Sequence, residues 1–234
     1  MIAIIGRGNV ASHLYKALKD KTEVCLVNSH SLEGFPPNPE IILICVSDDA
    51  IDQVANKIPS GNSIIAHTSG SVPMRVLEKK GFKAGVFYPL QTFSKDAELN
   101  YKEIPVFIEG STKDVVESLK KLASIFSDDV READSDARKQ LHLASVFACN
   151  FTNALASISK DLIFQSKIDF SALLPLMKQT IEKLRYLSPK EAQTGPAVRK
   201  DLKVIESHLK MLGNKPEIQE LYSRLTKIIT DQYQ

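Results

Sequence analysis

The chain of 234 residues carries 30 Lys and Arg against 28 Asp and Glu, a formal net charge of +2, with 43% hydrophobic residues. So even a balance sets up no field that would draw a nucleic acid or a membrane surface, and the sequence offers no unbroken run of ~18 apolar residues to span a bilayer. The first apolar run, Met1-Ile2-Ala3-Ile4-Ile5, has no basic segment ahead of it, so a secretory signal is not expected.

Short β-branched runs alternate with helical patterns along the first half. Ile2 to Ile5 reads as a strand, followed by a helix from Asn9 to Leu18 with Val10, Leu14 and Leu18 on one face. Glu23 to Val27 reads as a second strand and Ile41 to Val46 as a third. Gly34, Pro36, Pro37 and Pro39 between them favour a loop crossover over a helix. Asp48 stands where an N-cap would open a helix carrying Ile51 and Val54. Further strands are expected at Ser63 to Ala66, Ala84 to Tyr88 and Pro105 to Glu109, with helices at Val72 to Lys80 and Thr112 to Phe126. Strands apolar on both faces that alternate with helices predict a parallel sheet covered on both sides. Cys25, Cys45 and Cys149 sit inside apolar stretches with no partner at metal-ligand spacing. They read as buried thiols in a reducing compartment, which places the chain in the cytosol.

After Ala133 the strand signal stops, and Ser135 to Phe164, Phe170 to Leu187, Ala197 to Leu212 and Pro216 to Gln232 all read as helices. The shift predicts an α/β, Rossmann-type parallel-sheet domain over residues 1–133 and an all-helical domain over 134–234.

Ile5-Gly6-Arg7-Gly8-Asn9-Val10-Ala11 follows the first strand directly and opens the first helix. In this G-x-G-x-x-A pattern Gly6 permits the tight turn, Gly8 lets the backbone approach a diphosphate, and Ala11 lets the helix pack on the strand. The helix N-terminus then offers unpaired N–H groups and a partial positive charge to the anion. The alternative is a glycine-rich turn in any α/β protein. An NAD site has Asp or Glu at the end of the second strand, whereas this chain has Asn28-Ser29-His30. Those neutral donors, with Arg7 in the turn, suit the 2′-phosphate of NADP, unless they are ordinary loop residues. Val46 and Ser47, closing the third strand, complete the expected cofactor set.

With these residues the chain resembles NADP-dependent Rossmann enzymes that carry a helical C-terminal domain: pyrroline-5-carboxylate reductase, the 6-phosphogluconate and 3-hydroxyisobutyrate dehydrogenases, and deazaflavin-dependent NADP oxidoreductases. Most closely it is similar to a family of candidate oxidoreductases in which a Rossmann-like domain precedes a helical domain of unknown function. The matching stretches are Ile5 to Ala11, His67 to Ser71, Tyr88 to Phe93, His142 to Ala144 through Asn150-Phe151, and Thr194 to Arg199. The resemblance implies hydride transfer and a homodimer through the helical domain. It also implies a catalytic Lys followed three residues later by His or Asn, a spacing that Lys139 and His142 fit, although Leu143 replaces the further Asn of the gluconate enzyme. In the pyrroline-carboxylate group an Asn-Arg-Ser-like run grips the 2′-phosphate; Asn28-Ser29-His30 keeps the Asn and lacks the Arg.

From Gln140 to Ser159 the helix carries no Lys, Arg, Asp or Glu. Leu141, Ala144, Ala148, Phe151, Leu155, Ile158 and Leu162 form one apolar face. At about 100° per residue Lys139, His142, Asn150, Asn153 and Ser157 fall on the other. Such a neutral polar stripe faces either a substrate or a neighbouring helix or subunit. His142 is the first choice as proton donor, with Lys139 and His67 behind it, and Asn150 and Asn153 orient the substrate. His67, at the C-terminal end of a strand, is a general acid or a turn residue. Gln91 lines the same cleft. Thr194-Gly195-Pro196 reads as a helix start whose N–H groups, with Arg199, would hold a carboxylate. The expected activity is hydride transfer between NADP and a small carbonyl, imine or alcohol; a sensor that binds NADP without turnover is the alternative.

Overall fold

The computed structural model describes residues 1–233, with only the backbone of Gln165. The chain divides into two compact units, Met1–Leu155 and Ala156–Gln234. The first is built on seven strands: β1 (Ile2–Ile5), β2 (Val24–Val27), β3 (Ile41–Ile44), β4 (Ile64–His67), β5 (Lys83–Pro89), β6 (Val106–Gly110) and β7 (Val130–Glu132). They lie in the order β2-β1-β3-β4-β5-β6-β7. The pairings from β2 to β5 are parallel.

Alternation along the strands sorts the core into two layers. Ile2, Ile4 and Leu43 face α1 (Asn9–Leu18) and, farther along the sheet, α4 (Lys113–Ser124). Ala3, Ile5, Ile42 and Ile44 face α2 (Ile51–Ala55) and α3 (Arg75–Glu78). Every residue of β1 and β3 is buried, which is why these strands read as continuous apolar runs. The fold is therefore the expected Rossmann-type α/β unit, and the 28–40 crossover is a loop as predicted.

Several local expectations are corrected. β6 runs antiparallel to β5, so the sheet is mixed. β7 was not visible in sequence because two of its three residues, Arg131 and Glu132, are charged and exposed, as suits a short edge strand. Asp48 does not cap the helix: Ser47 holds the N-cap position, and the Asp48 carboxylate instead accepts a hydrogen bond from the Ser71 hydroxyl. The helix expected from Val72 shrinks to α3, beginning only after Pro73. Cys45 is buried, but Cys25 and Cys149 are half-buried; all three are free thiols.

A long helix follows the sheet: α5 (Ser135–Ser145), a π-helical stretch over Val146–Phe151, and α6 (Thr152–Ile163). At 29 residues, with a mean hydropathy of 1.3 over its most apolar window, it is long and apolar enough to cross a bilayer by length and composition. A search for an unbroken apolar run misses this helix because its polar residues are scattered and uncharged. Its predicted apolar face is uncovered, Phe151, Leu155 and Leu162 all being exposed.

The second unit continues with α7 (Leu174–Lys183), α8 (Pro189–Ala192), α9 (Leu202–Met211) and α10 (Pro216–Asp231). Ser188 and Glu191 form a capping box at α8, and α9 meets α10 through a 2.9 Å hydrogen bond between His208 Nδ1 and the Tyr222 hydroxyl. The helix expected from Ala197 starts five residues later. Residues 196–200 are a turn ended by Lys200 at φ 54, so Pro196 does not open a helix. The sheet ends at Glu132, beside the expected boundary at 133, while the compact units part inside α6.

Candidate functional site

The site is built at the carboxyl ends of the parallel strands, where the chain passes from β1 to β2 on one side and to β3 on the other. At such a switch point adjacent connections diverge and leave a crevice. Gly6 sits there with φ 138, and a Cβ on it would lie 2.1 Å from the Cys45 carbonyl oxygen, so this corner admits glycine alone. A Cβ on Gly8 would meet nothing within 4 Å. Protein packing therefore does not demand a glycine at that position; the open space over the turn is what a bound diphosphate would use. Ala11 is fully buried, as close packing of helix on strand requires. No side chain caps α1, and its first turn holds no acidic residue. Its leading N–H groups are left to an anion.

A cleft of about 540 Å³ opens over this turn. Gly6 to Val10, Ser29, His30, Val46 and Ser47 line it, so nine of the ten expected cofactor residues gather there. Asn28 does not: its side chain is consumed locally, Oδ1 accepting from the N–H of His30 at 2.8 Å and of Ser31 at 3.4 Å. Sequence reasoning missed Lys57, which lines the cleft from just beyond α2 and donates to the His30 carbonyl at 3.1 Å. A single exposed lysine in the turn after a short helix carries no signal that distinguishes it from its neighbours. Among the described residues no Asp or Glu lines this cleft. Beneath it the Cys45 thiol is pushed up to about 12 by burial, with a smaller opposing influence from Thr68, so it is an unreactive core thiol.

The loop after β5 forms one wall. His13, buried on α1, donates from Nε2 to the Ser94 carbonyl at 2.8 Å, leaving Nδ1 to accept from the Tyr101 hydroxyl at 2.9 Å. Asn9 Nδ2 donates to the Phe93 carbonyl at 2.9 Å. These bonds pin the loop carrying Gln91 and Phe93 beside the glycine turn.

Gln91 also lines a second cleft of about 420 Å³, with Tyr88, Leu90, Thr92, His142, Ser145, Ala148, Cys149 and Asn150. Of the expected catalytic and substrate residues, His142, Gln91 and Asn150 thus come together next to the cofactor cleft. Lys139 does not line it: its amine is half-exposed, 4.0 Å from Asp136. Asn153 is absent from the lining too. The π-helical stretch at 146–151 lies between it and His142, and the wider turn there breaks the 100° phase that placed both on one stripe. Arg199 is exposed in the second unit, on the turn that replaces the expected helix start.

His67 is a correction. It ends β4 fully buried, accepts at Nδ1 from the Ser69 N–H at 3.2 Å, and lines neither cleft. Burial, then the Arg138 guanidinium, pull its imidazole down to about 4, Asp48 and the Pro73 backbone opposing weakly. It is neutral near pH 7 and cannot serve there as the expected general acid. Because its folded value lies below the ordinary 6.5, its contribution is complete above pH 6.5 and is lost as pH falls through about 4. Urea unfolding at pH 7 and pH 4 should show an acid loss roughly 3 kcal/mol larger in the wild type than in a His67→Gln variant. Equal losses in both proteins would refute the assignment.

What holds α5 in place is a buried polar network that the sequence did not reveal. The Arg138 side chain is fully buried. Its guanidinium pairs with Glu109 on β6 and donates to the carbonyls of Ser69 (3.2 Å) and Val72 (2.6 Å). The Ser135 hydroxyl donates to Glu109 at 3.0 Å and accepts from the Met74 N–H at 3.1 Å. One helical turn beyond Arg138 stands His142.

Residues 104–229 match the family described as a domain of unknown function (DUF2520). No curated protein matches the chain. A solved structure from Bacteroides fragilis, described as a candidate NADP oxidoreductase, is 37% identical over 98% of this chain and 97% of its own, with a TM-score of 0.90. A Thermotoga maritima protein shares 23% identity over 100% of this chain and 98% of its own, at a TM-score of 0.77. A reductive aminase from Aspergillus terreus, in complex with NADPH and ethyl levulinate, has the same fold at 14% identity and a TM-score of 0.71, over 97% of this chain and 93% of its own.

Proposed function

The chain belongs to the DUF2520 family, and from that premise we propose that it is an NADP-dependent oxidoreductase moving hydride between the nicotinamide and a small carbonyl, imine or alcohol. One observation carries the reading: an uncapped helix start behind a glycine turn, open above Gly8, at the switch point of a parallel sheet. The description of the Bacteroides fragilis relative as an NADP oxidoreductase supports the choice of cofactor.

The turn from Gly6 to Val10 holds the diphosphate through backbone N–H groups. Ser29, His30, Arg7 and Lys57 surround the phosphorylated ribose, where a carboxylate would repel the 2′-phosphate. When bound, NADPH supplies the hydride. The chain itself positions the substrate with Gln91 and Asn150, and His142 moves a proton to or from the reacting oxygen or nitrogen. Residues 1–133 form the cofactor domain and 134–234 the substrate and dimerisation domain. A second copy covers the apolar side of the long helix: Phe147, at 63% exposure, needs a cover. The chain works in the cytosol, consistent with its free thiols.

The test is a screen for NADPH oxidation over aldehydes, imines and keto acids, run beside cofactor titrations. At least one substrate class should turn over. Lys57→Ala should weaken NADPH about tenfold, or ~1.4 kcal/mol, and leave NADH unchanged. Binding without oxidation of NADPH by any substrate would favour the sensor instead; an equal effect of Lys57→Ala on both cofactors would remove Lys57 from the 2′-phosphate.

A further inference from the structure

The Tyr88 hydroxyl lies 3.2 Å from His142 Nδ1, and the two rings meet edge to face, 71° apart with centroids separated by 6.3 Å. The partners come from different elements, the end of β5 and the second turn of α5, so their meeting is a tertiary fact and not a local one. Gly70 closes the third side of the slot. A Cβ there would stand 2.8 Å from both His142 Nδ1 and Tyr88 Cζ. The pair is thus held at a position that even a methyl group on the neighbouring loop would disturb. The Ser145 hydroxyl donates to the His142 carbonyl at 2.7 Å.

We propose that Tyr88 is a positioning residue for His142: its oxygen accepts a hydrogen bond from Nδ1–H, fixing the imidazole in that tautomer and reserving Nε2 for proton exchange in the cleft. The inference rests on the oxidoreductase reading. In the reductive direction bound NADPH would supply the hydride to the substrate carbon and leave as NADP⁺. The Nε2–H bond of the imidazolium breaks as an N–H or O–H bond forms on the substrate, and a neutral imidazole is left with its remaining proton on Nδ1. Water then returns a proton to Nε2. In the oxidative direction the same tautomer offers the Nε2 lone pair as the base. Burial pushes the Tyr88 phenol up, so it stays a neutral partner throughout.

Nitrogen-15 spectra of the full chain labelled at histidine test the proposal without needing a substrate, the His142 signals being identified by their loss in His142→Gln. In the wild type neutral His142 should carry its proton on Nδ1, the minority form of free imidazole. Tyr88→Phe, which keeps the ring and removes the oxygen, should return it to the Nε2–H form without lowering the melting temperature appreciably. An Nε2–H tautomer in the wild type, or the same tautomer in both proteins, would overturn the pairing. Titration of either protein with NADPH reports on the cofactor reading separately, so the two failures are distinguishable.

Discussion

Replacing Arg138 with Met should lower stability by about 3–5 kcal/mol, because it strands a carboxylate and two carbonyls in a nearly dry interior. Glu109 is only 14% exposed, and the carbonyls of Ser69 and Val72 would lose the guanidinium donors that the structure gives them. For a chain of this size that is a fall in melting temperature on the order of 10 °C. Much of a buried ion pair's apparent value is the cost of leaving one partner alone. The Arg138→Met, Glu109→Leu double variant should therefore recover a large part of the loss, as thermal or urea unfolding would show. If the double variant is as unstable as the sum of the two single variants, the pair is not the unit that ties α5 to the sheet.

The same network marks where sequence reading ran out. Arg138 and Lys139 are adjacent cations on one helix, and nothing in their local pattern tells which is fully buried. The answer depends on Glu109, 29 residues earlier, and on a loop backbone that folding brings up. Lys139, favoured by its spacing to His142, faces solvent beside Asp136 instead. The glycine turn was legible for the opposite reason: each constraint on Ile5 to Ala11 is local, so strand, corner and helix could be placed from the residues themselves. The stripe on the long helix was legible only as far as Asn150, since a π-helical stretch rotates the residues beyond it and leaves no mark in the apolar periodicity. Strand β7 escaped because an edge strand of three residues has no need of an apolar run. His67 looked available because it sits at a strand end; only its burial shows that it belongs to the core.

The two glycines of the turn should behave in opposite ways. Gly6→Ala forces a Cβ to within 2.1 Å of the Cys45 carbonyl, at a φ of 138 that L residues rarely adopt. Backbone strain alone costs about 1–3 kcal/mol, and the clash adds to it, so this variant should be severely destabilised whether or not cofactor is present. Gly8→Val places its side chain in open space at φ −76, ordinary backbone for any residue. Its stability should change by about 1 kcal/mol or less.

The most direct measurement is calorimetric titration of NADPH into the wild type and Gly8→Val, with folding of both checked by melting. The wild type should bind NADPH, and folded Gly8→Val should bind at least about tenfold more weakly, a difference of ~1.4 kcal/mol. Equal affinity in the two proteins, or no binding to the wild type, would mean that the turn does not cradle a dinucleotide.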